Sequence, residues 1–215
     1  MTIDKDDLLN SIMESLDRIQ YIKMEDIPNI DLYMDQVTTF MDKNLKSTAR
    51  YPEEDKILTK TMINNYAKND LLPPPVKKKY SREHVLLLVF IYYYKGILSI
   101  NDIQTLLNPL TRRFFQKEAF SLGDIYTEVF GLEKRQVEFL KKDVIHKFQM
   151  SKETFKEAPE KEQEFLQMFS FICMLSFDVY VKKLLIEKMV DSFALVAEED
   201  KTGKKKGRAD KPEME

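Results

Sequence analysis

The sequence contains no tryptophan, one cysteine and only five glycines among 215 residues. Sandwiches, barrels and nucleotide-binding folds need glycine in turns and phosphate loops, so the shortage favours an all-α chain. Because Cys173 stands alone, an internal disulfide framework and a zinc site built mainly on thiolates are both excluded. The first 25 residues carry acidic side chains throughout and no apolar run, unlike a signal peptide. We therefore expect a cytoplasmic protein.

Motifs for catalysis and metal binding are also missing. The sequence has no glycine-rich nucleotide-binding motif, no HExxH motif and no GxSxG motif. His84 and His146 lie far apart, with no thiol or carboxylate at metal-ligand spacing around them. We therefore expect no enzyme activity, no metal site and no cofactor.

The charge of the chain is unevenly distributed, although the net charge is only −2. Residues 1–55 hold 6 basic and 13 acidic side chains, whereas residues 56–82 hold seven basic side chains and one acidic one, Asp70. A short basic segment in an otherwise acidic chain suggests a partner with a phosphate backbone. A solvated basic face without a ligand is the alternative interpretation.

The spacing of apolar residues predicts a succession of helices. Four serine or threonine residues stand where helix N-caps are expected, namely Thr59, Ser81, Ser99 and Ser121. The predicted helices are an amphipathic one over 4–22, one of about 15 residues ending near Leu45, one from Lys60 to about Asn69, a buried one around 85–94, one ending at Leu107 before Pro109, a long stretch after Ser121 with a division at Gly131, and one over 160–196.

The last of these helices contains a nearly continuous apolar stretch, Phe165–Val181. It is slightly too short for a membrane span and contains Asp178, so we expect a buried helix or a dimer interface and no membrane insertion. Cys173 lies in this stretch and is expected to be an inert core residue. The charged residues 198–215 are expected to be disordered.

Residues 59–107 combine these features in a characteristic order. A short helix is followed by Leu-Leu-Pro, a basic stretch ending in Tyr-Ser, a buried helix and a Ser-Ile-x-Asp-Ile segment. This order resembles the DNA-binding half of MerR-type transcriptional regulators. The positions that match the family pattern are Thr59, Ile63, Tyr66, Leu71, Leu72, Pro74, Tyr80, Ser99, Ile100, Asp102 and Ile103. We also expect the whole chain to belong to a bacterial family described as a domain of unknown function that shares this core.

The resemblance implies a fold and a division into domains. The fold is an all-α MerR-like winged helix-turn-helix with a small or vestigial wing, followed by a helical C-terminal module. We expect an N-terminal amphipathic helix at 1–28, the DNA-binding domain at 29–110, a helical dimerisation or effector module at 111–197, and the tail at 198–215.

Side chains suited to DNA recognition cluster in the basic segment. Positions 61, 64, 65 and 68 are spaced to share one helix face, and asparagine can bind an adenine edge through two hydrogen bonds. Three lysines after the proline run would lie along the DNA backbone as a wing. The predicted DNA-binding residues are Lys60, Thr61, Asn64, Asn65, Tyr66, Lys68, Lys77, Lys78, Lys79, Tyr80 and Arg82.

Two functions follow from these observations. The first is a transcriptional regulator that binds double-stranded operator DNA as a homodimer, with the apolar C-terminal helices forming the dimer. In that module, an aromatic pocket with an acid such as Asp178 would suit a small hydrophobic effector that carries a positive charge, which is the alternative to a plain core. The alternative is a protein-interaction module that kept the winged fold without sequence-specific DNA binding, because Asn64 stands where the MerR pattern has arginine.

Overall fold

The computed structural model describes the backbone of residues 5–17 and 21–209. Within these ranges the chain is mostly helical, which confirms the all-α class. The helices are α1 (Lys5–Asp17), α2 (Met34–Leu45), α3 (Lys60–Lys68), α4 (Arg82–Tyr94), α5 (Ile100–Phe114), α6 (Leu122–Phe130), α7 (Glu133–Lys152) and α8 (Glu160–Ala209). The strands β1 (Leu32–Tyr33) and β2 (Lys79–Tyr80) form an antiparallel ribbon. Short 3₁₀ turns lie at Met24–Asp26 and Lys46–Thr48.

The predicted caps begin the helices that the sequence assigned to them. The Thr59 hydroxyl accepts a hydrogen bond from the backbone N–H of Met62 at 3.1 Å. Ser99 and Ser121 each form a capping box with the aspartate three residues later. A polar N-cap of this kind is worth about 1 kcal/mol, so these residues fix the starts of α3, α5 and α6.

Helix α4 is the centre of the main hydrophobic core. Its residues from His84 to Ile91 are all buried, as the continuous apolar stretch predicted. The surrounding elements contribute residues from Ile22 to Tyr126. The largest buried side chains around α4 are Ile27, Met41, Leu45, Ile63, Leu71, Leu72, Ile103 and Tyr126.

A second, smaller core lies between α1, α7 and α8. Val144 and Phe148 of α7 pack against Phe171 of α8, and Leu9 and Ile12 of α1 cover them. The Phe148 and Phe171 rings meet edge to face with centroids 5.4 Å apart. The predicted helix over 4–22 is therefore present in part as α1, whereas Tyr21 and Ile22 are not helical, and residues 4 and 18–20 lie outside the described residues.

Helix α5 corrects the predicted helix end at Leu107. The helix continues through Pro109 to Phe114. A proline inside a helix removes one backbone hydrogen bond and costs about 3 kcal/mol. Burial of Ile103 and Leu107, with Leu110 packed against the same core, outweighs that loss. The predicted domain boundary after residue 110 consequently falls inside α5.

Helix α8 corrects two further expectations. It extends to Ala209, where the sequence predicts a disordered tail from residue 198. Extending an existing helix needs no new nucleation, and the glutamate, lysine and arginine residues of this stretch are good helix formers. Cys173 is exposed instead of buried, because it lies on the side of α8 turned away from α7.

Among the described residues, no helix combines the length and the apolar character that crossing a membrane requires.

Candidate nucleic-acid interface

Helix α3 has one buried face and one polar, exposed face. Ile63 and Tyr66 are buried in the main core, and Leu71 and Leu72 anchor the segment that follows the helix. The exposed face carries Thr61, Asn64, Asn65 and Lys68, as their spacing predicted. Packing therefore fixes the orientation of α3 and presents two amides, a hydroxyl and an ammonium group to solvent.

The long connection between α2 and α3 is anchored in the core. Ile57 and Leu58 are buried just before the Thr59 cap. The Lys95 ammonium group donates a hydrogen bond to the Ile57 carbonyl at 2.6 Å. These contacts hold the N-terminus of α3 in place.

The segment predicted to form a wing is a short β-hairpin with two lysines at its tip, and we refer to this hairpin as the wing. Leu32 pairs with Tyr80 and Tyr33 with Lys79 in the ribbon. Val76 and Lys79 exchange two backbone hydrogen bonds of 3.0 and 2.9 Å. Lys77 and Lys78 between them have φ angles of 50° and 65°. Positive φ at both central residues is the geometry of a type I′ turn, which normally uses Asn-Gly.

Three lysines of the predicted interface carry uncompensated charge. Among the described side chains, Lys68, Lys77 and Lys78 are exposed and form no ion pair. By contrast, Lys60 is paired with the Asp35 carboxylate of α2. Lys79 is partly buried, with its ammonium group 5.2 Å from the centroid of the Tyr33 ring. The positive potential is therefore concentrated at the end of α3 and at the wing tip.

Three predicted DNA-binding residues, Tyr66, Tyr80 and Arg82, make contacts within the protein. Tyr66 and Tyr80 retain 8% and 3% of their accessible surface, and burial raises the pKa of both hydroxyls. Arg82 is partly buried and its Nη2 donates to the Met24 carbonyl at 2.5 Å. The two rings pack in the main core, and the Arg82 guanidinium group connects the start of α4 to the turn at Met24–Asp26. Their predicted contacts with phosphates stay a prediction, for which these intramolecular contacts leave little free surface.

One crevice was missed by sequence reasoning. A cavity of about 350 Å³ lies between α2 and the N-terminus of α3. Its lining includes Thr38 and Thr39 of α2 and the lysines Lys56 and Lys60. Lys56 was counted in the basic segment, but nothing in its local sequence indicates that it shares a cavity with α2.

His84 connects the wing to the core. Its Nδ1 accepts a hydrogen bond from the backbone N–H of Ser81 at 3.0 Å, which completes a capping box at the start of α4. The ring lies edge to face with Tyr80 and Phe115, and its buried Nε2 has no hydrogen-bond partner among the described residues. Burial lowers the pKa of His84, so the neutral ring is favoured.

A family model described as "Domain of unknown function (DUF1836)" matches residues 22–129. The chain belongs to this family. The DUF1836 segment coincides with the main core, which runs from Ile22 to Tyr126 and includes α3 and the wing. Helices α7 and α8 follow the DUF1836 segment. No curated protein and no solved structure matches the chain.

Proposed function

We propose that this protein is a transcriptional regulator that binds double-stranded DNA as a homodimer through α3 and the wing. The observations that support it best are the polar, exposed face of α3 and the hairpin with two uncompensated lysines at its tip, both of which belong to elements packed against α2. A short helix, a basic hairpin and a buried helix in this order are also the features on which the resemblance to MerR-type regulators rests.

The dimensions of α3 suit a major groove. Nine residues span about 14 Å, and the groove of B-DNA is about 12 Å wide. Asn64 and Asn65 provide amides that can pair with an adenine edge, while Thr61 adds a hydroxyl. Lys68, Lys77 and Lys78 then contact phosphates. Three phosphate contacts per protomer give a dimer a salt slope of about −5.

An apolar face of α8 supports the dimer. The exposed fraction is 66% for Phe165, 66% for Phe177 and 63% for Tyr180. Phe169, Ile172 and Leu184 lie on the same face of the helix. Together these side chains expose roughly 600 Å² of apolar surface, which approaches the ~800 Å² that each partner buries in a stable interface. A second copy covering this face would place two α3 helices for two half-sites.

DNA binding is tested by fluorescence anisotropy with duplex DNA from the upstream region of the gene and a scrambled duplex of equal length. Asn64→Ala should reduce the preference for the upstream duplex, because base contacts carry specificity. Lys78→Ala should weaken binding to both duplexes and reduce the salt slope by about one phosphate contact per protomer. Lys161→Ala removes an equal charge at an exposed site on α8 and should change neither property.

Specific binding to the upstream duplex that exceeds the scrambled duplex about tenfold at 200 mM salt supports the proposal, since non-specific binding is weak there. Equal or absent binding to both duplexes rejects it. Unchanged binding by both the Asn64 and Lys78 variants would place the interface elsewhere on the protein.

A protein-interaction module is the second candidate. The observation in its favour is that Lys60 is neutralised by Asp35 and Arg82 is held by the Met24 carbonyl, which leaves fewer cations at the surface than the sequence suggested. Heparin chromatography distinguishes the two candidates. A DNA-binding protein should elute only at elevated salt, whereas an interaction module should pass through the column.

A further inference from the structure

A cavity of about 370 Å³ lies where the DUF1836 segment meets the last two helices. Its lining includes Tyr21, just before the segment begins, and Lys182 of α8. The lining residues from α7 are Glu133, Gln136, Val137, Phe139, Leu140 and Asp143. The volume lies within the range of small-molecule sites, which begins near 300 Å³.

The walls are apolar and aromatic. Tyr21 packs against Phe130 and Tyr93 with ring centroids 4.5 and 4.7 Å away, so its position is fixed from behind. Phe139 is 61% exposed and Leu140 is 38% exposed, so the protein covers both apolar side chains only in part. A rigid ring facing loosely covered apolar side chains favours a ligand with an apolar body.

Glu133 is the charge that this cavity leaves uncompensated. Lys147 pairs with both Asp143 and Asp178, and Lys182 has the Asp178 carboxylate 4.0 Å away, so these two cations balance these two acids. No described side chain forms an ion pair with Glu133, whose Oε1 accepts only the backbone N–H of Tyr21, at 3.1 Å. Burial raises the pKa of Tyr21, and the negative charge of Glu133 raises it further. The cavity therefore favours positive charge beside an aromatic face.

We propose that this cavity binds a small organic cation with an apolar or aromatic body. Its charge would lie between the Glu133 carboxylate and the Tyr21 ring, where ion pairing and cation–π attraction act together. Its body would pack on Val137, Phe139 and Leu140. Asp178, which the sequence suggested as the acid of an effector pocket, is not available because Lys147 pairs with it at 2.7 Å.

The site does not depend on DNA binding, so its test measures ligand binding directly. The probes are 3-hydroxyphenyltrimethylammonium and its neutral isostere 3-tert-butylphenol, which differ only in a nitrogen cation replacing a carbon and both dissolve at millimolar concentration. Ligand-observed NMR titration of the full chain should give a Kd of about 1 mM for the cation, as expected for a ligand of this size. The neutral isostere should bind at least about tenfold more weakly.

Glu133→Gln should abolish this preference while still accepting the Tyr21 hydrogen bond. Glu128→Gln removes an equal charge at an exposed site on α6 and should leave the preference unchanged. Tyr21→Leu, made in a protein that retains Glu133, removes only the aromatic ring. This variant should also have a lower affinity for the cation. Equal binding of both probes to the unmodified protein overturns the proposal, as does a preference that survives Glu133→Gln. Absence of cation binding at 10 mM, on the order of ten times the expected Kd, also overturns it.

Discussion

Replacing the wing tip Lys77-Lys78 with Asn-Gly should stabilise the fold and weaken DNA binding at the same time. Both lysines occupy the left-handed region, which costs about 1 kcal/mol for each residue with a Cβ. Asparagine and glycine accept this geometry, although glycine loses about 0.5–1 kcal/mol through its freer unfolded state. The net gain is about 1 kcal/mol, or 2–4 °C in the melting temperature of a chain of roughly this length.

The same substitution removes two positive charges per protomer from the proposed interface. If both lysines contact phosphates, the slope of log affinity against log salt should become shallower by about 1.8 per protomer. Lys77→Ala with Lys78→Ala is the matched control, because it removes the same charge but still places two Cβ atoms in the turn. The control should weaken DNA binding equally without raising the melting temperature.

Thermal unfolding and anisotropy titrations between about 50 and 200 mM salt measure both effects. A higher melting temperature with an unchanged salt slope would show that the wing does not contact DNA and would refute its proposed role. An unchanged melting temperature would refute the assignment of backbone strain to the turn.

Two further predictions concern His84 and Cys173. Because burial lowers the pKa of folded His84, protonation below about pH 6.5 favours the unfolded state, so stability should fall as the pH drops. His84→Gln keeps a capping acceptor and should lose less stability between pH 7 and 5, as measured by urea unfolding. A urea midpoint that falls equally in both proteins would contradict this. The exposed thiol of Cys173 lies on the apolar face of α8, so its rate of reaction with a thiol reagent should decrease as protein concentration rises and dimers form. A rate independent of concentration would argue against a dimer through this face.

Local features of the fold were predictable from sequence because their causes are local. The Thr59 cap, the capping boxes at Ser99 and Ser121 and the polar face of α3 depend on residues within one or two helical turns. The end of α5 was not predictable, because the packing that carries it past Pro109 involves residues distant in sequence.

The candidate site was predicted in part for the same reason. Charge and residue type identified Lys68, Lys77 and Lys78, which are exposed. They also identified Tyr66, which is buried in the core, and Arg82, whose guanidinium group donates to the Met24 carbonyl. The cavity at Glu133 was not predicted at all. It unites Tyr21, the start of α7 and Lys182, and no local pattern brings such distant residues together.

The wing tip is where the sequence departs furthest from what its local structure favours. A type I′ turn favours Asn-Gly, yet the chain has two adjacent lysines there, which repel each other and strain the backbone. Residues that reduce stability without contributing to packing are expected at functional surfaces. Lys77 and Lys78 are exposed and make no ion pair with any described residue, so the folded protomer gains nothing from their charge. A polyanion bound to the wing would supply the counter-charge that Lys77 and Lys78 lack in the protomer. A partner with a neutral surface would leave the charge of both lysines uncompensated.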